Sequence, residues 1–369
     1  MTDLSPLFTP FRLGNLDLPN RIVMAPMTRM QSPDQTPGPD VAAYYARRAR
    51  AGVGLIITEG TTIAHPVASA SAQIPAFHGH ALEGWKGVLA EVHAAGGKIM
   101  PQLWHLGMAR IAASSPAPSL PSMGPSGLAG PGKRYSPPMT EEDIQDIIAA
   151  FAQGAADAQA LGFDGVELHG AHGYLIDQFF WSGTNERTDG WGGDIERRSR
   201  FGIETVRAVR AAVGPDYPVV LRWSQWKMND YSARLAHSPA ELETFLQPLA
   251  DAGVTAFHCS TRRFWDPEFP ETDDTLNLAG WTKKLTGLPT ITVGSAGLSK
   301  ADEIATRGQR IEANLDNLEL LAEAVARGDY DLVAVGRALI ANPDWPKLIR
   351  EGRFDEIADY GGAALEKLY

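Results

Sequence analysis

Cysteine is almost missing from this chain: Cys259 stands alone among 369 residues. A single cysteine excludes an intramolecular disulfide and any cysteine-ligated iron–sulfur cluster. Basic charge is in deficit, with 33 Lys and Arg against 44 Asp and Glu and a net charge of −11. That balance argues against nucleic acid or an anionic membrane as partner. No apolar run is long enough to span a bilayer. The opening from Met1 to Pro10 has neither a basic segment nor an apolar core, so no secretory signal is expected and a cytoplasmic location is. There is no internal repeat beyond an alternation of strands and helices, and no interdomain linker; one domain over 1–369 is expected.

What is present has the composition of a soluble globular protein, 44% hydrophobic and 21% charged. Short apolar segments alternate with amphipathic ones along nearly the whole length. Strands are expected at Ile22–Ala25, Leu55–Thr58, Ile99–Leu103, Val166–His169, Val219–Trp223, Ala256–Ser260, Thr290–Val293 and Leu332–Val335. Helical patterns lie at Val41–Ala51, Leu82–Ala95, Glu141–Leu161, Arg197–Val213, Pro239–Ala252, Leu318–Arg327 and Pro343–Arg350. Thr140 with Asp143, and Ser238 with Pro239, mark two helix starts. Such alternation points to an α/β protein, a (β/α)8 TIM barrel, with long loops on the catalytic face. Residues 1–20 are expected to cap the barrel from below. The long loops are 104–139, after the third strand, and 261–279, after the sixth, the latter carrying Arg262, Arg263, Phe264 and Trp265. Loops of that length in a compact domain commonly serve as lids or binding loops.

In such a barrel, polar residues at the carboxyl ends of strands are the candidates for chemistry. The fourth strand breaks into His169-Gly170-Ala171-His172-Gly173-Tyr174, releasing two imidazoles and a phenol close together. A metal site would need a third ligand, which the neighbourhood does not offer. Capping or core histidines and a packing tyrosine are the plainer readings. The ends of the last two strands are rich in glycine: Gly294-Ser295-Ala296-Gly297, and Gly336 followed by Arg337. Exposed N–H groups and a guanidinium at that place suit a phosphate. Across the mouth, Gln102 offers a donor and an acceptor together, and Arg222 offers a fixed positive charge. A ligand spanning these groups has a phosphate tail and a polar ring that can become anionic, as a reduced flavin does.

Several segments, in order, carry a resemblance. Pro19-Asn20-Arg21-Ile22-Val23-Met24-Ala25-Pro26-Met27-Thr28-Arg29 and Gln102-Leu103-Trp104-His105 open it. Glu167 to Tyr174, Asn185 to Gly193, and Val335-Gly336-Arg337-Ala338-Leu339-Ile340-Ala341-Asn342-Pro343 complete it. Together they resemble the Old Yellow Enzyme family of FMN-dependent ene-reductases over almost the whole chain. The resemblance implies FMN as a tightly held, non-covalent cofactor and NADPH or NADH as reductant. It also implies roles. Thr28 would bond the flavin O4, Gln102 the O2/N3 edge, and Arg222 would stabilise the anionic reduced ring. Pro26, Met27 and Gly60 would line the ring, while Gly297, Gly336 and Arg337, with Ser295, would hold the phosphate. His169 and His172 would grip a substrate carbonyl or nitro oxygen, and Tyr174 would donate a proton. Trp104 and Trp265 are candidates for the substrate wall, each with ordinary packing as the alternative. Phe354 and Tyr360 are guesses for a pocket aromatic from the C-terminal region.

The chain departs from the family pattern at Trp223-Ser224-Gln225-Trp226-Lys227, and Ser299–Asn314 lengthens the segment after the seventh strand. The activity implied is reduction of the C=C bond of α,β-unsaturated carbonyl or nitro compounds. The alternatives are a nitroester or nitroaromatic reductase on the same site, and a non-catalytic barrel that only binds. The expected partner is a small molecule, and the chain a monomer or homodimer.

Overall fold

Along each strand, alternate residues enter two different cores, one inside the closed sheet and one between the sheet and the helices. The structure is a computed structural model that describes residues 3–299 and 310–369. A two-stranded antiparallel hairpin, β1 (Phe11–Leu13) and β2 (Leu16–Leu18), comes first. Eight parallel strands follow: β3 (Ile22–Met24), β4 (Leu55–Thr62), β5 (Ile99–Trp104), β6 (Val166–His172), β7 (Val219–Lys227), β8 (Ala256–Ser260), β9 (Thr290–Val293) and β10 (Leu332–Val335). They close in that order, with β10 pairing back onto β3. The chain is the expected (β/α)8 barrel.

Val23, Leu55, Ile57, Met100, Val220, Ala256, Ile291 and Leu332 form one buried cluster, and Leu13, Leu16 and Leu18 of the hairpin join it. The hairpin therefore stoppers the barrel at the amino ends of the strands, as expected of residues 1–20. The intervening residues, such as Ile22, Ile56, Val219 and Leu221, pack outward with the helices. Burying both faces of each strand is what makes these segments read as continuous apolar runs.

The helices are α1 (Pro39–Arg50), α2 (Ala81–Ala94), α3 (Glu141–Leu161), α4 (Leu175–Phe180), α5 (Ile195–Val213), α6 (Pro239–Asp251), α7 (Leu278–Thr286), α8 (Asp316–Arg327), α9 (Arg337–Ala341) and α10 (Trp345–Arg350). Thr140 and Asp143 make a reciprocal capping box at the start of α3, and Ser238 caps α6. Helices α4, α7 and α9 lie outside the predicted set. They are too short for a 3.6-residue period to declare itself.

Four strands run further than expected: β5 by one residue to Trp104, β6 past His169 to His172, and β4 and β7 by four residues each. Strand β4 continues past Thr58 through a register shift between Ile57 and Gly60, and β7 continues past Trp223 to Lys227. Polar residues there look like strand ends in the sequence but still pair with neighbours, so the mouth of the barrel is deeper on this side. The lengthened segment at 299–314 lies partly outside the described residues. Among the described residues, no helix is long and apolar enough to cross a membrane.

Candidate active site

The inward register that carries Met100, Val220 and Ala256 carries Gln102, Arg222 and His258 two residues later. Strand β6 has Val166 and Leu168 packed outward, so Glu167 and His169 point inward with them. A polar layer thus sits directly above the apolar one. Glu167 is its centre. One carboxylate oxygen accepts from Gln102 Nε2 at 2.7 Å, and the other meets His258 Nδ1 at 2.6 Å. Because Glu167 accepts from the Gln102 amide nitrogen, it sets the amide orientation.

Beyond His169 the chain turns back on itself. His172 (φ 67°) and Gly173 (φ 84°) both take left-handed backbone conformations. For a histidine this is strained by of order 1 kcal/mol, and such positions collect at functional sites. The turn is held from β7: the His172 N–H donates to Ser224 Oγ at 2.9 Å. The result brings the three predicted groups together. The His169 ring is 5.3 Å from that of His172 and 4.9 Å from that of Tyr174, centroid to centroid. Trp104 stacks beside His169 at 5.8 Å and meets the Tyr174 ring edge-on at 4.7 Å.

Protonation follows from burial. Desolvation holds both imidazoles well below the ordinary histidine range, and the Arg222 charge adds to it. Each ring is therefore neutral near pH 7 and carries one N–H. The Ala171 N–H points at His169 Nδ1 (3.4 Å), which leaves the proton of that ring on Nε2. His172 Nε2 lies 2.8 Å from Ser260 Oγ. Burial pushes the Tyr174 phenol up to about 12, so it stays protonated.

A cavity of about 250 Å³ opens beside His172 at the strand ends. Pro26, Met27, Arg222, Ser295, Gly336 and Arg337 from the predicted cofactor set line it. Arg222 and Arg337 give it positive charge from β7 and from the end of β10, and Arg222 Nε is buried with no partner among the described residues. Fixed cations, an unpartnered donor and open strand-end backbone fit a flat ring with a phosphate tail, as in FMN. Thr28 is exposed just past β3 and is not among the residues that line this cavity. Gln102, also of the predicted cofactor set, does not line the cavity.

Three predicted residues stand differently. Gly297 is not on the cavity wall, and its N–H already donates to Asn317 Oδ1 at 3.0 Å. Its glycine is required instead by Trp345, which a Cβ would approach at 3.0 Å, and by a φ of 72°. Trp265 does not reach the site: it packs edge-on to Phe264 and lines a separate cleft with Leu320 and Ala324 of α8. The aromatic that faces the site from this side is Trp226, stacked on His172 at 4.4 Å with planes 25° apart. Gly60 lies within β4, where a Cβ would come within 2.4 Å of the Trp104 indole. Of the C-terminal candidates, Tyr360 lies under the Arg337 guanidinium at 5.9 Å, and Phe354 packs on the outer core.

Glu167, His258, Ser260 and Trp226 were not singled out from sequence. Strand parity carried a signal for the first three, since each shares the inward register of its strand. Trp226 lay in the 223–227 segment noted above as a departure, but nothing singled it out as a site residue.

The sequence profile of the NADH:flavin oxidoreductase / NADH oxidase family matches residues 6–356. The chain is 35% identical over 367 residues to the NADH oxidase of Thermoanaerobacter brockii, covering 97% of this chain and 52% of that one, so it spans about half that relative's length. It is 34% identical over 355 residues to 12-oxophytodienoate reductase 2 of Arabidopsis thaliana, covering 93% and 87% of the two chains. Among solved structures, morphinone reductase in complex with tetrahydroNAD superposes with a TM-score of 0.80 at 30% identity, covering 97% and 93%. The Old Yellow Enzyme from Pichia sp. AKU4542 gives 0.81 at 27% identity, covering 98% and 90%. The chain belongs to the NADH:flavin oxidoreductase / NADH oxidase family and is an FMN-dependent NAD(P)H oxidoreductase of the Old Yellow Enzyme type.

Proposed function

We propose that this enzyme reduces the C=C bond of α,β-unsaturated carbonyl compounds, with His169 and His172 holding the substrate oxygen and Tyr174 donating the proton. The observation that carries this is the convergence of two neutral imidazoles and one protonated phenol beside a cationic cavity. FMN supplies the hydride when bound, after reduction by NADH or NADPH.

The side chains do the rest. Two N–H donors on one substrate oxygen would withdraw electrons from the conjugated system and stabilise the charge that develops there. Because both rings are neutral, they can do this without giving up a proton. Tyr174 then protonates the carbon next to the carbonyl. Its hydroxyl lies 3.1 Å from Met228 Sδ, a weak acceptor, so its proton is not committed to a strong partner. Arg222, close enough to favour the phenolate, eases the loss of that proton. Trp104 stacks on His169 and Trp226 on His172, so each imidazole is braced by an indole.

The test separates the two half-reactions by rapid mixing. Tyr174→Phe is expected to slow oxidation of the reduced enzyme by 2-cyclohexenone by about 100-fold or more. Reduction of the flavin by NADPH is expected to continue. A nitro acceptor reduced without carbon protonation is expected to escape the loss. An enone rate unchanged in Tyr174→Phe overturns the proposal.

A further inference from the structure

Lys227 and Asp177 form an ion pair at 2.8 Å in which both side chains are wholly shut off from solvent. The reaction outlined above uses neither. A buried pair of this kind can often be replaced by apolar residues without loss of stability, so stability alone does not account for it. Its remaining contacts show what it touches. The second carboxylate oxygen of Asp177 accepts the Gly173 N–H at 2.6 Å. Lys227 Nζ also donates to Ser224 O at 3.1 Å, and Ser224 Oγ in turn accepts the His172 N–H at 2.9 Å. The next residue, Met228, donates its N–H to His172 O at 3.2 Å. Asp177 itself sits in the first turn of α4, the helix that Tyr174 caps. Directly or through Ser224, these contacts reach the two left-handed residues, His172 and Gly173, that lie between His169 and Tyr174 in the chain.

We propose that the Lys227–Asp177 pair is a positioning device for Tyr174. It holds the 172–173 turn in its strained conformation and so fixes where the phenol stands relative to the substrate. An apolar pair would fill the same space but leave the Gly173 N–H without an acceptor. The inference rests on the proposed role of Tyr174.

The experiment is a double-mutant cycle on the FMN-loaded enzyme, with Lys227→Met and Tyr174→Phe singly and together. With Tyr174 present, Lys227→Met is expected to slow the 2-cyclohexenone step by about tenfold or more. Flavin reduction by NADPH should stay within about twofold. In the Tyr174→Phe background, Lys227→Met should change the enone step by less than about twofold, because there is no phenol left to misplace. Amide hydrogen exchange should quicken within 170–178 and not across the barrel. Equal slowing in both backgrounds, an unchanged enone rate, or exchange raised throughout overturns the inference. Should Lys227→Met fail to fold, Asp177→Asn serves in the same cycle. It keeps the shape but has one acceptor oxygen and cannot hold both Lys227 and Gly173. If Tyr174→Phe by itself leaves the enone rate untouched, it is the proposed function that fails, not the positioning of the turn.

Discussion

Glu167 on β6 and His258 on β8 meet across the interior of the barrel at 2.6 Å, both fully screened from solvent. Strand β7 lies between them in the sheet, so the contact spans the lumen and not a strand ladder. Replacing His258 by Leu would keep the volume but leave one carboxylate oxygen of Glu167 buried without a donor. We expect a loss of about 3 kcal/mol in urea unfolding. An unchanged unfolding midpoint would mean that the carboxylate is satisfied in some other way.

Gly60 and Trp104 make a second close approach, on adjacent strands. A methyl group at position 60 would come within 2.4 Å of the indole, and that indole also packs on His169 and Tyr174. Gly60→Ala is expected to cost about 1–3 kcal/mol. It should also shift tryptophan emission and weaken enone binding, because Trp104 must move. Wild-type stability and KM in this variant would show that the ring yields at no cost.

The alkaline limb of the enone half-reaction should be flat. Burial raises the Tyr174 phenol to about 12, and its acid form persists below that value. The rate of enone reduction is therefore expected to hold from pH 7 to roughly pH 10, where a free phenol would be half ionised. A decline centred near 10 in the wild type, missing in Tyr174→Phe, would place the phenol in a far less buried setting.

Stability should fall on the acid side. His105, His169 and His172 are all held well below the ordinary histidine range, first by burial. The unfolded chain then takes up protons below about pH 6.5 that the native chain refuses, so stability drops as pH falls through that point. Each of the three contributes up to about 1.4 kcal/mol per pH unit. Glu59 opposes them: burial raises it to about 7, so the native state holds a proton between its ordinary value and 7. His65, His78 and His258 are lowered as well and Asp177 and Glu268 raised, so six imidazoles stand against three carboxyls, and the urea midpoint is expected to decrease from pH 7 to pH 5.5. A midpoint that rises over this interval would mean that the imidazoles are solvated.

Much of the site was readable because barrel geometry is local in sequence. Each strand end lies next to its own loop, so His169, His172 and Tyr174 had to leave β6 together, and Arg222 had to leave β7. Parity along a strand also reaches further than it was taken. Glu167, two residues before His169, faces the same lumen, as does His258 two residues after Ala256. What misled was the phosphate side. Gly297 looks free in sequence, but its N–H is used by Asn317, twenty residues away. Trp265, the obvious aromatic of its loop, is drawn onto α8, and Trp226 occupies the place beside His172.

The amino-acid order alone determined the eight strands, their inward and outward faces and the side chains each end would present, because those depend on periodicity and on neighbours along the chain. Only the closed barrel decided which groups satisfy one another. His258 reaches Glu167 across 91 residues, and Lys227 reaches Asp177 across 50. Such partnerships are set by the order in which strands surround a common axis, and no local pattern of residues encodes that distance.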